Sequence, residues 1–136
     1  MNRFTPRVAR RSACWLTFVL ALIVYLLTLE PDASLWDCPE YLVTAARLEV
    51  GHPPGNPVWT LTARIFSIFG GSDPGHIAVA VNLSSAIFSA GAAAMLTSVC
   101  FMMLRRFRIR RIGYSATAFV SLAAGLTFAW LDSTWY

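Results

Sequence analysis

The chain has 136 residues, of which 57% are hydrophobic and 13% charged, with a formal net charge of +4. Soluble domains carry about 25% charged residues, so this balance excludes an ordinary soluble domain and indicates a membrane protein. The arginines flank apolar runs and do not form a face interleaved with aromatics, which excludes a nucleic-acid partner.

Residues 1–13 form a basic N-terminus with Arg3, Arg7, Arg10 and Arg11 and no acid. Residues 14–29 are apolar except for Thr17 and Thr28. With Arg11, Ser12 and Ala13 as a snorkelling flank, the run approaches the ~20 residues that cross a bilayer. The rival is a signal peptide, but no small-x-small cleavage site follows Leu29, so an uncleaved first span is expected.

Residues 30–76 form a polar loop that predicts two short helices. The first begins near Asp37 and runs to about residue 50, closed by Gly51. Asp37 and Glu40 are spaced i, i+3 on one face, and Thr44 and Arg47 continue that stripe. Asp-x-x-Glu is also a capping-box pattern, with Asp37 as N-cap, Pro39 in the first turn and Glu40 at N3. The two readings are compatible, because a capping aspartate is held rigidly. Gly51-His52-Pro53-Pro54-Gly55-Asn56-Pro57 is a stiff reversal. His52 is a candidate for binding phosphate, for sharing a metal with the acids, or for a local hydrogen bond.

The second helix is expected over residues 57–69, with Asn56 as cap and Gly70-Gly71 as stop. It is too short to span. Thr60, Arg64 and Ser67 make a polar stripe, and Val58, Trp59, Leu61, Ile65, Phe66, Ile68 and Phe69 cover the rest. That pattern predicts an interfacial helix lying in the membrane plane.

Residues 77–104 carry no charge and predict a second span, with Asp73-Pro74 as N-cap and first-turn proline. Ala86, Ala90 and Ala94, with Ser85 and Ser89, predict a close-packing helix face. Residues 105–111 hold Arg105, Arg106, Arg108, Arg110 and Arg111. Residues 112–131 predict a third span ended by Asp132, with Trp130, Trp135 and Tyr136 in an interfacial belt. Residues 132–136 add no polar tail, so the chain reads as the N-terminal piece of something longer. Cys14 and Cys100 fall in apolar runs and Cys38 in the polar loop, so no intrachain disulfide is expected.

The charges orient the chain. The two arginine-rich segments contain no acid, whereas residues 30–76 hold Glu30, Asp32, Asp37, Glu40, Glu49 and Asp73 against Arg47 and Arg64. By the positive-inside rule the N-terminus is cytoplasmic and the acidic loop extracytoplasmic. The arginine loop reads as a topology determinant and an anionic-lipid contact. The fold class expected is an all-α integral membrane protein, with three transmembrane helices and two short juxtamembrane helices in the extracytoplasmic loop.

Trp36-Asp37-Cys38-Pro39-Glu40, Leu48-Glu49-Val50-Gly51-His52-Pro53-Pro54-Gly55 and Asn82-Leu83 together resemble a known pattern. It is that of polytopic glycosyltransferases of the GT-C superfamily related to protein O-mannosyltransferases, found in bacteria and in the animal endoplasmic reticulum. The likeness covers residues 25–136. Pro39 stands where that pattern has a glycine, which stiffens the turn and leaves both acids in place. The resemblance implies an incomplete GT-C-like bundle, a polyprenyl-phosphate mannose donor and a protein Ser/Thr hydroxyl acceptor. It implies Asp37 as catalytic acid/base with Glu40 in support. Arg47 and His52 are candidates for holding the lipid phosphate. No metal ligand is assigned, and a divalent metal is left open. A bacterial cytoplasmic membrane is the expected location, and the piece alone is not expected to turn over. The alternatives are a transporter subunit, disfavoured by the lack of ionisable residues inside the spans, and a non-catalytic membrane scaffold.

Overall fold

The computed structural model describes residues 5–33, 37–53, 55–107 and 113–131. Trp36 and Pro54 of the motifs, Arg3, Arg108, Arg110, Arg111, Ile112, Asp132, Trp135 and Tyr136 lie outside them. Among the described residues the chain is all-helical. The helices are α1 (Pro6–Leu27), α2 (Cys38–Arg47), α3 (Pro57–Phe69), α4 (Pro74–Arg106) and α5 (Tyr114–Ala129).

Two helices, α1 with 22 residues and α4 with 33, are long and apolar enough to cross a membrane. At ~1.5 Å per residue they reach about 33 and 50 Å, against a hydrocarbon core of about 30 Å. Both begin before the apolar runs, and α4 also outlasts its run. Arginine is a good helix former, so the charges do not stop the helix. Arg7, Arg10 and Arg11 lie within α1, and Arg105 and Arg106 form the last turn of α4. The expected third span is shorter: α5 has 16 residues, about 24 Å.

Contacts divide the chain into two units: Met1–Leu27 with Ile87–Tyr136, and Thr28–Ala86. In the first unit α1 buries Ala9, Ala13, Thr17, Ala21 and Tyr25, one residue every fourth position. α5 does the same with Thr117, Ser121, Gly125 and Ala129. α4 adds Ala90, Ala93, Thr97 and Phe101. The small-residue face on α4 therefore turns at Ala93, not at Ala94 as expected.

Large apolar side chains such as Trp15, Val19, Ile23 and Phe119 point outward. Small residues inside and bulky apolar residues outside is the arrangement suited to helices packed in lipid. Thr17 and Thr97 hydroxyls hydrogen-bond at 2.9 Å; one donates to the other, which in turn donates to the carbonyl one turn back on its own helix. Gly125 sits at that crossing. A Cβ there would collide with Thr97 Oγ1 and lie 3.0 Å from the Ala93 carbonyl and 3.1 Å from Thr17 Cγ2. At the far end, buried Tyr25 donates its hydroxyl to the Ala129 carbonyl at 2.6 Å, which satisfies a terminal helix acceptor.

In the second unit α2 and α3 pack on the first turns of α4. Ala45, Ala63 and Val81 form the buried centre, with Leu42, Trp59 and Ile77 against them. Asp73 caps α4 as expected: its Oδ1 accepts from the His76 N–H at 3.1 Å. That bond holds the Asp73 carboxyl below its usual range.

Candidate functional site

α2 starts one residue after Asp37 and has Pro39 in its first turn. The expected capping box does not form. Asp37 occupies the N-cap position, but its side chain makes no capping hydrogen bond. The Glu40 carboxylate is committed elsewhere. Its Oε1 accepts the His52 backbone N–H at 2.7 Å, and its Oε2 meets the His52 ring Nδ1 at 2.8 Å. Glu40 thus binds both the backbone and the ring of a residue twelve positions further on.

The turn that allows this is local. α2 ends at Arg47, not near residue 50. Leu48 adopts a left-handed conformation, φ 54, and its N–H returns to the Thr44 carbonyl. For a residue with a Cβ this conformation costs about 1–2 kcal/mol, so the surrounding contacts hold it in place. Gly51 is then required to be small: a Cβ there would lie 3.0 Å from Glu40 Oε1.

The electrostatics follow from the clamp. The hydrogen bond and charge of Glu40 raise the His52 pKa above the usual imidazole range, and the negative charge of Asp37 adds to the rise. Backbone and side-chain hydrogen bonds from His52 depress the Glu40 pKa. Glu40 and Asp37 therefore both act on His52 in one exposed patch. His52 Nδ1 is engaged, which leaves Nε2 as the ring atom available to a ligand. A protonated His52 offers Nε2–H as a charge-assisted donor to an anion.

Arg47 does not join this group. It is seven residues from Glu40, two turns along the same helix face and ~10 Å away by helical rise. Its side chain is largely exposed and approaches Glu49 at 3.8 Å. Thr44, also on the expected stripe, is buried and donates to the Tyr41 carbonyl at 3.0 Å. Among the described residues, no three His, Cys, Asp or Glu side chains converge on a position that could hold a metal.

The frame around the patch uses residues that sequence reasoning did not single out as braces. Asn82 on α4 donates to the carbonyls of Glu30 at 2.9 Å and Asp32 at 3.3 Å, tying down the segment that leads to Asp37. Tyr41 packs edge-on against Trp59 at 5.1 Å and receives a hydrogen bond from the Asn56 amide at 3.2 Å. Asn56 therefore braces α2 and does not cap α3 with its side chain. Arg64 donates to the Ala46 carbonyl at the end of α2.

The bounds of α3 match expectation, but its polar stripe turns inward. Ser67 is buried and Arg64 half-buried, while Val58 is 80% and Phe69 81% exposed, with Leu61, Ile65 and Ile68 beside them. A soluble protein does not leave such a continuous apolar face to water without a partner, so the pattern marks a contact surface.

Residues 37–136 match the family described as protein O-mannosyl-transferase TMEM260 N-terminal domain. Over 52 residues the chain is 40% identical to the protein O-mannosyl-transferase tmem260 of Dictyostelium discoideum, a stretch that covers 38% of this chain and 6% of that protein. That relative is eukaryotic and lends no support to the expected bacterial location. No solved structure matches the chain. The family match opens at Asp37 and takes in the clamp, the reversal and every helix from α2 onward; the chain belongs to the protein O-mannosyl-transferase TMEM260 N-terminal domain family.

Proposed function

We propose that this chain supplies the catalytic loop of a polytopic protein O-mannosyltransferase of GT-C type. The donor is mannose on a polyprenyl phosphate and the acceptor a Ser or Thr hydroxyl. α1, α4 and α5 lie in the membrane with residues 30–76 outside the cytoplasm, and the apolar face of α3 rests in the interface where a lipid-borne sugar emerges. The observation that carries the reading is the Glu40–His52 clamp beside Asp37.

The clamp divides the labour. Glu40, with a depressed pKa and both oxygens engaged, is a poor proton acceptor and serves as the positioning residue for His52. Asp37 makes no capping bond and is the proposed base. The acceptor oxygen attacks the anomeric carbon as its proton passes to the Asp37 carboxylate. The bond from that carbon to the phosphate oxygen breaks, and the lipid phosphate leaves with the bonding pair. The His52 imidazolium donates to that phosphate as charge builds on it. Arg47 is too far along α2 to share this role from within the patch.

The test is mannosyl transfer by the full-length protein, wild type against Asp37→Asn, with membrane accumulation measured alongside. The substitution should leave accumulation near normal and lower transfer by ~10²-fold or more. Wild-type transfer by Asp37→Asn would overturn the assignment.

A further inference from the structure

We propose that Tyr41 and Asn56 bind the hexose of the lipid-linked donor, through a neutral donor–acceptor pair set beside the charged clamp. The inference rests on the donor class proposed above and adds the residues that read its sugar.

Two successive residues of α2 tie down the same reversal. Glu40 holds His52, and Tyr41 holds Asn56, whose side-chain amide donates to the Tyr41 hydroxyl at 3.2 Å. Gly55 closes the turn between them: its N–H donates to the His52 carbonyl at 3.0 Å, and its φ of 70 is one that glycine adopts without strain. The two rungs differ in chemistry, since the first carries charge and the second none.

The neutral rung is not saturated. The Tyr41 oxygen accepts from Asn56, so its own O–H is left to donate, and the Asn56 Oδ1 is left to accept. Among the described residues neither atom has a further partner. Turning the amide over reverses the bond and still leaves one donor and one acceptor. Asn56 is exposed and Tyr41 half-buried, so the pair opens to solvent. The Tyr41 ring packs edge-on against Trp59 at 5.1 Å, and Trp59 is anchored on the Ala45, Ala63 and Val81 centre. The phenol is thus fixed at its ring and at its oxygen, and aromatic surface flanks the pair.

A sugar hydroxyl is uncharged and both donates and accepts, so a donor and an acceptor held side by side match it. Phosphate oxygens only accept, and Asn56 Oδ1 would meet them lone pair to lone pair; their partner is the charged rung. Aromatic surface suits the C–H face of a hexose ring. A peptide backbone also donates and accepts, but the sugar is bonded directly to the phosphate assigned to His52, and Asn56 follows His52 on the same reversal. Tyr41 lies one turn from Asp37, to whose carbonyl its N–H donates at 3.0 Å. The pair therefore joins the two elements that carry the proposed base and the proposed phosphate donor. The hexose is the part of the substrate that lies between those two groups.

The experiment uses the full-length protein in a neutral detergent and measures equilibrium binding of polyprenyl-phosphate mannose and of bare polyprenyl phosphate. Wild type should bind the mannosylated lipid more tightly. Tyr41→Phe keeps the ring and removes the hydroxyl. It should weaken binding of the mannosylated lipid by about 3- to 10-fold, the worth of one neutral hydrogen bond, and change the bare lipid by less than about twofold. Asn56→Ala should act in the same direction, and it carries the test if Tyr41→Phe does not accumulate. Equal affinities of wild type for the two lipids, or equal losses for both in the variant, would overturn the sugar assignment. Unchanged binding of the mannosylated lipid by the variant would overturn it as well, and a raised KM for the acceptor peptide would then assign the pair to the acceptor. Binding of neither lipid by wild type would remove the donor class and this inference with it. The role of Asp37 is read by transfer, not by lipid binding, and so fails separately.

Discussion

Glu40 holds His52 at two points, through the backbone N–H at 2.7 Å and the ring Nδ1 at 2.8 Å. A single hydrogen bond would fix the loop or the ring. Two fix both, so the reversal at residues 51–57 and the direction of the imidazole depend on one carboxylate.

The pair has a defined pH window. His52 has a raised pKa, so its contribution is complete below the ordinary imidazole value of 6.5 and is lost as pH rises through the raised value. Glu40 has a lowered pKa, so its contribution is complete above the ordinary 4.5 and is lost as pH falls through the lowered value. The clamp is strongest between these limits. In an NMR titration, His52 in wild type should titrate above its value in Glu40→Gln. Identical titration in the two proteins would contradict the clamp.

Gly51→Ala tests the same contact sterically. The added methyl lies 3.0 Å from Glu40 Oε1, so the carboxylate must retreat from the His52 N–H. The His52 pKa should fall toward its ordinary value, by less than in Glu40→Gln, and protease cleavage in the reversal should quicken. An unchanged titration would mean that the loop is held by something else.

In the first unit, Gly125→Ala places a methyl into Thr97, Ala93 and Thr17. Overpacking of this kind costs ~1–3 kcal/mol. Thr17→Val with Thr97→Val removes both hydroxyls of one interhelical bond, which averages about 0.6 kcal/mol in membrane helices. Thermal unfolding in detergent should therefore rank the glycine variant as the less stable. The reverse order would place the close contact elsewhere.

The apolar face of α3 is tested with Phe69→Trp, a change at an 81% exposed position. In vesicles of the full-length protein, lipids brominated near the glycerol should quench the new tryptophan more than lipids brominated at the chain end. Stronger quenching from the chain end would place α3 inside the hydrocarbon.

What was legible in the sequence was what is written locally. α3 falls at residues 57–69 as expected because Pro57 opens it and Gly70 closes it, and Asp73 caps α4 because the acid and Pro74 are adjacent. The apolar runs do not mark the helix ends: α1 starts ahead of Arg7 and α4 continues through Arg105 and Arg106, because arginine does not stop a helix. The reciprocal half of the capping box is lost because the Glu40 carboxylate is claimed by His52, a contact across twelve residues that no local pattern encodes. The polar stripe of α3 was visible, but only the fold shows that it faces α2. The four-residue spacing of small side chains in α1 and α5 was present in the sequence and could have been read there.

The most direct measurement asks whether the Asp37 carboxylate takes the acceptor proton. Full-length wild type and Asp37→Asn are compared on two acceptor peptides, one with serine and one with a more acidic fluorinated hydroxyl. A base matters less as the acceptor loses its proton more readily. The deficit of Asp37→Asn should be ~10²-fold or more with serine and several-fold smaller with the acidic acceptor. A deficit of the same size with both acceptors would show that Asp37 acts on structure or binding and that the proton goes elsewhere.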